Sequence, residues 1–64
     1  TIVKRTALLK LLARRGCLLF REGSRHSLFW NPVNRRITTV PRHREIDDDL
    51  ARKICRDLGV PFRD

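Results

Sequence analysis

The sequence predicts an α+β domain in the order helix, strand, strand, strand, helix, and three observations carry that prediction. Apolar residues recur at helical spacing near both ends of the chain. Short strand-like runs fill its middle, and clusters of glycine, proline and asparagine separate them. At 64 residues, 1–64 read as a single domain. A chain this short buries only about 60% of the surface its unfolded form exposes. A three-stranded antiparallel sheet with two helices on one face, and its other face open, suits so thin a core.

Each element has its own signal. Over residues 3–15, VKRTALLKLLARR, the residues Ala7, Leu8, Leu11 and Leu12 recur at helical spacing, with Lys4, Lys10, Arg14 and Arg15 elsewhere. Gly16 stands where a left-handed cap would stop the helix, and the arginines of the last turn suit its dipole. Residues 17–22, CLLFRE, are apolar, short and bounded by Gly16 and Gly23, which fits a first strand. GSR makes a turn, and residues 26–31, HSLFWN, make a second strand with His26, Leu28 and Trp30 on one face and Ser27 and Phe29 on the other. Asn31-Pro32-Val33-Asn34 is turn chemistry, and residues 36–40, RITTV, close a meander.

Pro41 is expected to end that third strand, leaving PRHRE as a basic loop. Asp47 offers an N-cap, with Asp48 and Asp49 in a first turn where the dipole favours carboxylates. Leu50, Ala51, Ile54 and Leu58 form the apolar stripe of the second helix opposite Arg52, Lys53 and Arg56, and Gly59 and Pro61 stop it. The α-β-β-β-α order matches the fold of double-stranded-RNA-binding domains.

Composition narrows the partners. With 15 Lys+Arg against 7 Asp+Glu, the formal net charge is +8. Arginine dominates lysine, and its planar guanidinium matches phosphate oxygens two at a time. A basic domain of this size is expected to hold a polyanion, foremost nucleic acid, or to meet an acidic protein. No apolar run approaches the roughly 20 residues needed to cross a membrane, and no signal-peptide pattern opens the chain. The chain starts on Thr1 rather than methionine, so native residues are expected to precede it. Cys17 and Cys55 are far apart, lack zinc-ligand spacing and read as reduced packing residues, which favours a cytoplasmic setting.

The chemistry-bearing stretch is GSRH, residues 23–26. Gly23 and Ser24 bring backbone N–H groups and a hydroxyl close to Arg25 and His26, a set suited to a phosphodiester. Histidine, with an ordinary pKa of about 6.5, is the natural proton carrier near neutral pH. RNA supplies its own nucleophile in the 2′-hydroxyl, so such a site could cut it with no cofactor and no metal. On spacing alone, His26 reads more simply as a half-exposed strand residue beside a sharp turn. Trp30 and Phe29 could stack on bases, although a core this small needs at least one of them. Asp47, Asp48 and Asp49 are explained by a capped helix start more simply than by a metal site.

The ordered set GSRH at 23–26, VPRH at 40–43, EI at 45–46 and DLGV at 57–60 resembles the HicA family of bacterial toxins, over nearly the whole chain. That resemblance implies a small mRNA interferase of a toxin–antitoxin system, with a double-stranded-RNA-binding-like fold. It places His26 on the family's catalytic histidine, with Gly23 and Ser24 as the turn of its motif. His43 falls on the histidine of the V-P-x-H segment, as a phosphate contact, a neutral loop residue or a proton carrier, between Arg42 and Arg44. The chain departs from the common GSHH form in having Arg25 before its histidine and Ser27 after it. The resemblance also implies a HicB-type antitoxin covering the site of a toxin that is monomeric alone. The rivals are a non-catalytic RNA-binding module and a protein-interaction domain. Against the former, Asp47-Asp48-Asp49 stands where a duplex binder would want lysines.

Overall fold

The computed structural model describes residues 2–62. Two helices and a three-stranded antiparallel sheet form an α+β arrangement, with a small two-stranded ladder beside them. The order is β1 (Ile2–Lys4), α1 (Arg5–Arg14), β2 (Leu18–Glu22), β3 (His26–Asn31), β4 (Arg36–Pro41), β5 (Glu45–Asp47) and α2 (Asp48–Leu58).

The first helix starts later than the periodicity suggests. Ile2 and Val3 are β-branched and run extended, pairing antiparallel as Ile2↔Asp47, Val3↔Ile46 and Lys4↔Glu45. Two corrections follow for the basic loop. Pro41 closes β4 rather than following it, opposite His26 on an edge strand where its missing N–H is harmless, and Glu45 belongs to β5. Only Arg42, His43 and Arg44 remain between the strands.

Both helices end as their glycines indicate. Gly16 sits at φ 84, while its N–H donates to Ala13 O and that of Cys17 to Leu12 O. Gly59 sits at φ 73 with the same pair of bonds, to Arg56 O and from Val60 N–H to Cys55 O. The carboxylate of Asp47 accepts from Asp49 N–H at 3.1 Å, the expected N-cap.

β3 is the centre of the sheet β2-β3-β4. Its alternation holds as expected: Ser27, Phe29 and Asn31 are buried, while His26, Leu28 and Trp30 face the open side. The core joins Phe29, Cys17 and Val40 to Leu8, Leu11 and Leu12 of α1 and to Ala51, Ile54, Cys55 and Leu58 of α2. One sheet face thus carries both helices, and the molecule is only 16 Å deep along its short axis. Two members of the expected stripes fall outside the core. Ala7 is exposed, and Leu50 is 38% exposed because the buried arc of α2 centres on Ala51, Ile54 and Cys55 instead. Both cysteines are buried and free.

Two asparagines tie the β3–β4 hairpin to α2. Asn31 and Asn34 each donate to Leu58 O at 3.0 Å, supplying partners to a carbonyl that the helix end leaves unpaired. β2 is irregular. Leu19 pairs with Phe29 and Arg21 with Leu28, so Phe20 is an inserted bulge residue. Past it, Arg21 takes the open face and Glu22 the inner one, the reverse of what strict alternation along residues 17–22 would give.

Candidate functional site

The 23–26 turn joins β2 to β3 and is closed by Gly23 N–H donating to His26 O at 2.8 Å. A Cβ on Gly23 would lie 2.8 Å from that same oxygen, so the close approach requires glycine. His26, the first residue of β3, is exposed on the open face of the sheet. It lines an open groove of about 500 Å³ together with Gly23, Ser24 and Arg25, and with Arg21, Glu22, Leu28 and Thr39. The structure therefore brings together all four residues of GSRH.

Residues outside the GSRH motif hold this turn. Ser27, next to His26, points inward and is 1% exposed. Its hydroxyl donates to the Glu22 carboxylate and accepts from Arg5 Nη2 at 2.9 Å. Arg5 also donates through Nε to Pro41 O at 3.0 Å, at the residue paired with His26. Arg42 Nη1 donates to Gly23 O at 2.9 Å and lies 3.5 Å from Glu22 Oε1, while its N–H donates to Arg25 O at 3.2 Å. One carboxylate and two guanidiniums thereby fasten both arms of the turn to the end of β4 and the start of α1. Charge-assisted hydrogen bonds of this kind are the stronger ones in proteins. With Phe20 inserted out of register, Glu22 falls opposite Ser27 on the inner side.

Arg42 and Arg44 line a neighbouring groove of about 470 Å³ with Lys4, Arg5, Thr6 and Glu45. The loop is drawn against α1 by Arg5 N–H donating to Arg44 O at 2.9 Å. His43 is exposed in that loop and lines neither groove. Of the seven predicted site residues, four line one groove, two line the next, and His43 stands apart from both.

Arg5, Ser27 and Glu22 carry no local signal in the sequence, because their partners lie as many as 36 positions away. Arg21 reaches the groove only through the bulge at Phe20, which the apolar run of β2 does not mark. The aspartate cluster is accounted for structurally, with Asp47 capping α2 and Asp48 pairing with Arg52 at 3.2 Å. Among the described residues, no three His, Cys, Asp or Glu side chains gather as a metal-ligand set.

Fold and site together define a small, strongly basic α+β domain that presents one histidine, beside arginines, from a locked turn on an open sheet face. The chain matches the family model described as the HicA toxin of bacterial toxin–antitoxin systems over residues 6–60, and it belongs to that family. No curated protein and no solved structure matches it significantly. The likeness to double-stranded-RNA-binding domains accordingly rests on the order of elements.

Proposed function

We propose that this toxin is a metal-independent endoribonuclease that cuts mRNA with His26. The observation that carries the reading is the placement of an exposed imidazole beside Arg25 and Ser24, on a turn held rigid by Arg5, Ser27, Glu22 and Arg42. Such rigidity is what general acid–base catalysis asks of the group that moves the proton.

In the proposed step His26 takes the proton of a 2′-hydroxyl as that oxygen attacks the adjacent phosphorus. The P–O2′ bond forms and the P–O5′ bond breaks, leaving a 2′,3′-cyclic phosphate. The departing 5′-oxygen takes a proton from solvent. Arg25 and Arg21, which share the groove, offset charge building on the phosphoryl oxygens, while Ser24 and the Gly23 turn seat the phosphate. Arg42 and Arg44 hold the flanking strand in the neighbouring groove, and His43, exposed in the same loop but outside both grooves, is left to a peripheral phosphate contact. The partner is a HicB-type antitoxin, to which a net charge of +8 would draw an acidic surface quickly. The setting is the cytoplasm, and the toxin alone is a monomer.

The test is cleavage of a labelled single-stranded RNA in excess EDTA, beside a His26→Ala variant shown to be equally folded. Fragments ending in cyclic phosphate, lost in the variant, are expected. If both proteins bind the RNA and neither cuts it, the chain is a binding module and this mechanism is wrong.

A further inference from the structure

The open face of the sheet carries more than the histidine. Leu18, Phe20 and Ile37 are each about half exposed, and Trp30 lies among them on β3. A contiguous apolar surface of this kind on a small domain marks a contact site. The ring of Phe20 meets that of Trp30 edge to face, 6.0 Å between centroids. Phe20, Trp30, Pro32, Arg35 and Ile37 line a cleft of about 400 Å³. Arg35 occupies it at a backbone cost, for its φ is 61, a left-handed conformation that glycine or asparagine adopts more cheaply.

This cleft adjoins the His26 groove. Leu28↔Thr39 and Trp30↔Ile37 are successive open-face pairs between β3 and β4. The first pair lines the groove and the second lines the cleft. His26 and Trp30 stand four residues apart on one face of one strand, a span of about 13 Å. Two aromatic rings, an apolar wall and a guanidinium in one slot match an unpaired base, which stacks on rings or guanidinium planes through a face that duplex pairing would hide.

From this juxtaposition we infer that the Phe20–Trp30 cleft takes one unpaired base of the RNA, at a fixed distance along the strand from the bond His26 attacks. The inference rests on the RNA-cleaving reading and specifies its substrate as single-stranded. An RNA occupant is favoured over a protein one because the cleft holds Arg35 and adjoins the groove of the histidine, which Arg21 and Arg25 line, in a chain of net charge +8.

Trp30 is the only tryptophan, so its fluorescence reports directly on the cleft. The full chain carrying His26→Ala, which leaves RNA intact, is titrated with an unpaired octaribonucleotide and with an abasic octamer bearing the same phosphates. Quenching by the first and not by the second is expected. Phe20→Ala should weaken binding of the base-bearing octamer about 5- to 150-fold, the range that base stacking on one aromatic supplies, and leave the abasic one unaffected. Trp30→Phe should keep the affinity that Trp30→Leu loses, which separates stacking from mere bulk. Binding without quenching, together with a neutral Phe20→Ala, overturns this inference alone and gives the face to a protein partner. If neither octamer binds, the RNA-cleaving reading falls with it.

Discussion

Replacing Ser27 by alanine tests whether the turn that carries His26 is held by its ionic lock. The hydroxyl makes two bonds to ionised groups, donating to Glu22 and accepting from Arg5 Nη2 at 2.9 Å, from a site only 1% exposed. A hydrogen bond to a charged group contributes about 1.5–3 kcal/mol, which puts the pair at about 3 kcal/mol or more. Neither partner is left bare, however: Arg5 keeps Pro41 O and Glu22 keeps Arg42. A net loss of about 2 kcal/mol is therefore expected, equivalent to a fall of roughly 8–16 °C in Tm for a domain of this size. Urea and thermal unfolding can be followed by Trp30 emission. The discriminating form is a double-mutant cycle with Arg5→Ala, in which the two substitutions should couple by about 1 kcal/mol. RNA cleavage by Ser27→Ala should fall more than RNA affinity does, since the hydroxyl touches no substrate. A loss below about 0.5 kcal/mol with no coupling, within the ordinary scatter of independent sites, would refute the lock.

Three further outcomes follow from the same contacts. Gly23→Ala sets a Cβ against His26 O at 2.8 Å, backbone against backbone, and should cost about 1–3 kcal/mol and disable cleavage; parent-like unfolding would show that the turn yields. The carboxyl of Asp57 is held below its ordinary value by the hydrogen bond from Lys53 Nζ, and then by that from Thr38 Oγ1. Its contribution to stability is full above the unfolded carboxyl's pKa and is lost as pH falls through the lower folded value, so Asp57→Asn should flatten the acid limb of stability against pH, and an unchanged limb would dismiss the Lys53–Asp57 pair as a source of stability. Burial pushes both cysteine thiols up, with Cys17 adding to the effect on Cys55, so a disulfide reagent should react slowly with native protein at neutral pH and rapidly once urea unfolds it; equal rates in the two states would contradict the burial.

What the sequence showed best was local. Gly16, Gly59 and Asp47 announce helix ends through chemistry contained within a few residues, and β3 shows its two faces because polar and apolar positions alternate cleanly. The elements that the sequence hides are those whose deciding contact is distant or whose pattern is uniform. The β1–β5 ladder joins residues more than forty positions apart over three pairs, too short to show a period. In CLLFRE, consecutive apolar residues hide which one is the insertion. Within the site, GSRH was legible because it is contiguous. The division of Arg42 and Arg44 from His26 into adjoining grooves was not, since both arginines follow β4 in the chain and Arg42 crosses back to Gly23 only through its side chain.

The bulge joins the His26 groove and the aromatic cleft on the open face, and its removal can separate them. Deleting Phe20 leaves the pairings of β2 with β3 intact, because Leu19↔Phe29 and Arg21↔Leu28 are already successive rungs once the inserted residue is gone. Glu22 then stays opposite Ser27, so the Arg5–Ser27–Glu22 lock and the turn at His26 have no reason to change. What disappears is the ring against Trp30, from a position 58% exposed where little packing is forfeited. The deletion should therefore preserve the coupling between Arg5 and Ser27 and the global stability to within about 1 kcal/mol, the common scale of single changes, while RNA affinity falls. If the deletion instead unfolds the chain or abolishes the coupling, the bulge is what places Glu22, and the turn and the aromatic cleft cannot be varied independently.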